Sequence, residues 1–106
     1  MNVQRSSINA AEVTIGARCS FGPRVMILTG THETGTDGRR AGARIASPVV
    51  IGDGVWVGAN VTVLPGVTIG SGALIAAGAL LVDDCEPDAL YAGAPAKKVR
   101  ALTPIN

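Results

Sequence analysis

Residues 45–81 read IASPVVIGDGVWVGANVTVLPGVTIGSGALIAAGALL, and an aliphatic side chain returns at every sixth place: Ile45, Ile51, Val57, Val63, Ile69, Ile75 and Leu81. A helix face repeats near 3.6 residues and a strand face at 2.0, so a sustained period of six means three alternating steps and a corner, taken again and again. Ile, Leu and Val occupy 16 of the 42 residues from 45 to 86. Seven hits in one register then have a chance of about one per cent after all six registers are allowed for, and the companion positions lower it further. The residue after each aliphatic is Ala46, Gly52, Gly58, Leu64, Gly70, Ala76 or Val82, small in five of seven cases. Four places after it stands Val49, Val55, Val61, Val67, Ala73, Ala79 or Cys85, each compact enough to turn inward near a corner.

Working outward, Val13-Thr14-Ile15-Gly16 reads like Val49-Val50-Ile51-Gly52 and Val67-Thr68-Ile69-Gly70, and the register runs on through Phe21 and Ile27. Counting hexads at 9, 15, 21, 27, 45, 51, 57, 63, 69, 75 and 81 gives eleven, a little under four turns at three per turn. Sides of six residues leave corners too short for a helix, which predicts an all-β chain: a parallel β-helix of triangular section. The coils are expected over about 9–86 of a single 1–106 domain. The register breaks at 31–44, read as a protruding loop, and ends in a tail over 87–106. That tail, with Pro87, Pro95 and the run Lys97-Lys98-Val99-Arg100, is expected to be an irregular cap. Met1 to Ser7 suggests no cap of its own. The N-terminal end of the coil is therefore expected to be bare and covered by another subunit, since open solenoid ends are normally capped or paired.

A chain of 106 residues with one Trp, one Tyr and one Phe suits narrow aliphatic layers and leaves much surface to be covered by association. A net charge of +1 argues against broad nucleic-acid binding. No apolar run is long enough to span a membrane and no signal-peptide core is present, so a cytoplasmic protein is expected. Cys19 and Cys85 both occupy the compact fifth place of a hexad and read as buried small hydrophobes.

The hexads, Thr31-His32 ahead of a polar loop, and the ending Ala92-Gly93-Ala94-Pro95-Ala96-Lys97-Lys98-Val99-Arg100 together resemble the hexapeptide-repeat acyltransferases. Within that superfamily the likeness is to the maltose, galactoside and polysaccharide O-acetyltransferases. The resemblance implies a left-handed coil and a homotrimer whose active sites lie in clefts between adjacent prisms. It also implies acetyl-coenzyme A as co-substrate, no metal, and direct transfer to a hydroxyl of a saccharide acceptor. His32 would be the general base, because an alcohol is a poor nucleophile until its proton is taken. The N–H of Ala59, just after Trp56-Val57-Gly58, would face the oxyanion. Asn2, thirty residues before His32, would complete the catalytic set.

For the coenzyme, the resemblance implies Ala77 beside the pantetheine arm, one 18-residue coil above Ala59, and Lys97, Lys98 and Arg100 on the phosphates. Trp56 should point outward, either against another subunit or along the coenzyme path. Arg39, Arg40 and Arg44 read as surface charge, or as contacts to an acidic acceptor or a neighbouring subunit, and Asp83 and Asp84 as turn residues. Glu33 stands where many maltose-type members carry Pro, Ala46-Ser47 where they often carry Gly-Lys, and the helical N-terminal segment and early coils of the larger enzymes are absent. A γ-type carbonic anhydrase shares the prism but needs three histidines for its zinc, and this chain has one. The alternative to an enzyme is a scaffold that self-assembles without turnover.

Overall fold

The computed structural model describes residues 11–105 and, as backbone alone, the strand Asn2–Gln4. Asn9, where the hexad count begins, lies outside the described residues, as does the side chain of Asn2. Strands and corners account for the described chain, with no helix among those residues, and hence none long and apolar enough to cross a membrane.

Each coil places one short strand on each of three faces. On the first face β2 (Val13–Ile15), β7 (Val49–Ile51) and β10 (Thr68–Ile69) pair in parallel, and β1 (Asn2–Gln4) adds antiparallel to β2. On the second face β3 (Ser20–Phe21), β8 (Trp56–Val57) and β11 (Leu74–Ile75) are parallel. On the third, β4 (Met26–Ile27), β9 (Thr62–Val63) and β12 (Leu80–Leu81) are parallel. The register puts Ile15 on Ile51 on Ile69, Phe21 on Val57 on Ile75, and Ile27 on Val63 on Leu81. The 18-residue step expected from the hexads is therefore the coil itself, and the triangular β-helix is what forms.

The inward rows are those the period marked. Ile51, Val57, Val63, Ile69, Ile75 and Leu81 are at most 1% exposed, and the fifth-place Val49, Val55, Val61, Val67, Ala73, Ala79 and Cys85 at most 5%. These side chains form one apolar core. The small second place has a steric cause. A Cβ built on Gly52 would lie 2.6 Å from Ser71 N, and one on Gly58 would lie 2.7 Å from Ala77 N, so the coil above comes too close for a side chain. At the third-face corners the same place carries Leu28, Leu64 and Val82 instead. A third periodic signal was missed in the sequence. The fourth place of the hexad adopts positive φ at Arg18, Arg24, Gly54, Asn60, Gly66, Gly72 and Gly78, which is why Gly or Asn recurs there from Gly54 onward.

The structure refines or corrects several of these expectations. Residues 31–44 protrude from the coil as expected, and they do so with regular structure. They lie within an antiparallel hairpin of β5 (Gly30–Thr34) and β6 (Ala41–Ala46), whose base closes with Ser47 N–H donating to Thr29 O at 2.9 Å. Ile45 accordingly belongs to the hairpin and is 41% exposed, its agreement with the hexad register being coincidental. The tail is also a hairpin. After Cys85 bridges to Ile69, β13 (Ala89–Gly93) continues the second face in parallel with β11, and β14 (Ala96–Ala101) returns antiparallel across a cis Ala94–Pro95 bond. Tyr91 takes the inward place above Ile75 and its hydroxyl accepts the Glu86 N–H at 2.8 Å. Lastly, the N-terminal end is not bare on every face, since β1 covers β2. β3 and β4 remain edge strands, and Phe21 and Met26 are exposed beside them. Cys85 is buried as expected, whereas Cys19 is only half-buried, with Sγ donating to Gly52 O at 3.1 Å.

Candidate active site

The hairpin leaves the prism at the corner between the third and first faces and carries His32 on β5. Its strands stay in register from Gly30↔Ala46 to His32↔Arg44. By Thr34↔Ala41, however, β6 has spent three residues to β5's two, which is a β-bulge. The bulge leaves the Gly42 carbonyl 2.9 Å from His32 Nδ1. A carbonyl can only accept, so Nδ1 carries the proton in the neutral ring and Nε2 is left as a lone-pair acceptor. Gly42 was not singled out in the sequence, and only the bulge reveals its role.

Ala59 and Ala77 lie on another edge, the corner between the second and third faces, and they stack: Gly78 N–H donates to Ala59 O at 2.8 Å. The corner between the first and second faces shows what is unusual here. There, Asp53 Oδ1 accepts the Ala17 N–H at 2.8 Å, and Ser71 Oγ accepts the Asp53 N–H at 2.9 Å, each cap coming from the coil above. The equivalent places at the Ala59 corner hold alanine. Among the described residues the N–H groups of Ala59 and Ala77 have no acceptor, and unpaired amides at a surface are donors for a ligand.

Trp56 points outward and is 58% exposed. Register places it under Leu74, which lies under Leu90, which in turn faces Arg100. Directly opposed residues of an antiparallel pair share a face. Arg100 and Lys97, opposite Leu90 and Ala92, therefore lie on the outer side with Trp56, while Lys98, opposite the inward Tyr91, bonds Glu86 Oε1 at 3.3 Å. The structure thus separates the three tail cations that were grouped in the sequence. Asp84 caps the Thr68 N–H at 2.8 Å, as a turn residue does. With Asp83 and burial it also acts on Cys85. Desolvation first, and then the charges of Asp84 and Asp83, push that thiol up to about 11. Among the described residues no group of three or more His, Cys, Asp or Glu side chains is placed to hold a metal ion.

Residues 48–82 match the family model for the bacterial transferase hexapeptide, six repeats. The chain is also 41% identical over 101 residues, 95% of its length, to a Schizosaccharomyces pombe protein assigned as an acetyltransferase, of which it spans 49%. The repeats that build its coil are those of the hexapeptide transferases.

Among solved structures, this hexapeptide-repeat chain is similar to the hexapeptide-repeat acetyltransferase of Vibrio cholerae in complex with acetyl-coenzyme A. The TM-score is 0.80 and the identity 38%, over 90% of this chain and 55% of that one. It is similar to a galactoside acetyltransferase in complex with coenzyme A at a TM-score of 0.80 and 34% identity, over 86% of this chain and 46% of that one. The coil is thus a left-handed parallel β-helix. The hexapeptide-repeat chain spans about half the length of the curated relatives it matches.

Proposed function

We propose that this chain is an acetyl-coenzyme A-dependent O-acetyltransferase that acts on a saccharide hydroxyl. The observation that carries the reading is the His32 ring, oriented by the Gly42 carbonyl so that Nε2 is the basic nitrogen. In the proposed reaction Nε2 takes the proton of the acceptor hydroxyl as its oxygen attacks the thioester carbonyl. The tetrahedral oxyanion accepts a hydrogen bond from the Ala59 N–H. Collapse breaks the carbon–sulfur bond, and the leaving thiolate takes the proton back from the imidazolium, giving the acetyl ester and free coenzyme A.

The Ala77 N–H then serves the pantetheine arm. The outer column from Trp56 to Arg100, four places spanning about 14 Å at the interstrand spacing, leads toward the phosphates, with Lys97 beside Arg100. His32 and Ala59 stand at different edges of one prism. This favours a homotrimer in which the hairpin of one subunit meets the Ala59 corner of its neighbour, and it accounts for a base that is exposed in the single chain. Asn2 is proposed as a further member of the catalytic set by its place in the sequence.

The test is release of free thiol from acetyl-coenzyme A across a panel of saccharides, with coenzyme binding followed by calorimetry. Acceptor-dependent release supports the enzyme. No release with any acceptor and no coenzyme binding would leave a self-assembling scaffold.

A further inference from the structure

We propose that Arg44 makes the acceptor place beside His32 selective for a saccharide bearing an anionic group, a carboxylate or a phosphate. This rests on the acetyltransferase reading above and names the substrate class of the same site. His32 and Arg44 are direct cross-strand partners on the hairpin, so their side chains share a face with Cβ atoms about 4.5–5.5 Å apart. Glu33, the nearest carboxylate in the chain, is one residue along the unbulged strand and alternates to the other face. Asp37 lies out at the hairpin tip, beyond both strands.

Two other cations of the hairpin and tail are committed elsewhere. Arg40 donates through Nη1 to Gly35 O at 3.1 Å, and Lys98 pairs with Glu86. Arg44 is exposed and, among the described residues, its guanidinium has no hydrogen-bond or ion-pair partner. A planar guanidinium carried on the same hairpin face as the base is matched by a carboxylate or phosphate held in a fork of two hydrogen bonds. A neutral sugar gives it nothing comparable. The hydroxyl to be acetylated lies at Nε2 and the anionic substituent on the same sugar lies at Arg44, which fixes which hydroxyl is presented as well as which sugar binds.

The experiment compares methyl glucuronide, glucose 6-phosphate and the neutral methyl glucoside as acceptors, with acetyl-coenzyme A binding measured separately by calorimetry. At least one anionic acceptor should exceed methyl glucoside tenfold in kcat/KM, and which of the two does so tells carboxylate from phosphate. Arg44→Gln should lower that value ten- to hundredfold and the methyl glucoside value less than threefold. Arg44→Lys, which keeps the charge and loses the fork, should retain part of the preference. Equal use of all three sugars, or a preference that survives Arg44→Gln, overturns the proposal, as does coenzyme binding without transfer to any of them. A chain that binds no acetyl-coenzyme A fails at the acetyltransferase reading itself, and a role for Arg44 against a neighbouring subunit would show as loss of assembly in Arg44→Gln.

Discussion

Ala77→Ser tests the oxyanion role of Ala59 without touching Ala59. At the neighbouring corner Ser71 Oγ accepts the N–H of Asp53, 18 residues earlier, at 2.9 Å. Ala77 stands 18 residues after Ala59 in the same relation, and the two corners match closely: a Cβ built on Gly52 falls 2.6 Å from Ser71 N, and one on Gly58 falls 2.7 Å from Ala77 N. A serine hydroxyl at 77 should therefore cap the Ala59 N–H from within the chain. One such hydrogen bond contributes about 0.5–1.5 kcal/mol, which should raise the melting temperature by a few degrees. A thioester oxygen must then displace the cap. The same energy enters the barrier, lowering kcat/KM about 2- to 13-fold, and complete loss of the donor would take the effect toward about 10²–10³. Ala77→Cys, the same in shape though slightly larger and only a weak acceptor, is the control. Coenzyme A formation is followed by chromatography, so the added thiol does not interfere. A serine variant that melts higher yet turns over like the cysteine variant would refute the reasoning, because the N–H would be capped and the reaction indifferent to it.

Other consequences are open to measurement. His32→Ala should lower kcat by about 10²–10⁴ with acetyl-coenzyme A affinity nearly unchanged, and a variant that keeps more than about a tenth of the rate removes His32 as general base. Lys97→Ala with Arg100→Ala should raise KM for acetyl-coenzyme A and leave that of a neutral acceptor alone. Lys98→Ala, whose cation already pairs with Glu86, should change the coenzyme KM far less, and equal effects would erase the distinction drawn from the strand register. The Cys85 thiol, ordinarily at 9.0 and here pushed up to about 11, has its folded value above its unfolded one. Stability from it is present below pH 9 and is lost as pH rises toward 11, by at most about 3 kcal/mol. Urea unfolding between pH 8 and 11 should show this loss, and Cys85→Ala should lack it.

What the amino-acid sequence determined by itself is the prism. An aliphatic row at every sixth place, compact fifth places and glycine where coils nearly touch are local, repeated requirements, so one period read along the chain specifies which side chains turn inward. Much of the candidate site was legible for another reason. His32 and the Gly-Ala corner stand out as chemistry-bearing residues where a repeat breaks or opens. What period could not supply was partnership across register. Ile45 fits the hexad count and still belongs to the hairpin, because pairing with Thr31 rather than sequence spacing decides its place. A one-residue bulge turns the Gly42 carbonyl to His32, and direct opposition brings Arg44 beside it. The pairing of β13 with β14 sends Lys97 and Arg100 outward and Lys98 to Glu86. Whether a corner N–H is capped or left open depends on the side chain one coil above, Ser71 over Asp53 but Ala77 over Ala59. Only the stacked structure brings residues so far apart in sequence within a hydrogen bond of each other.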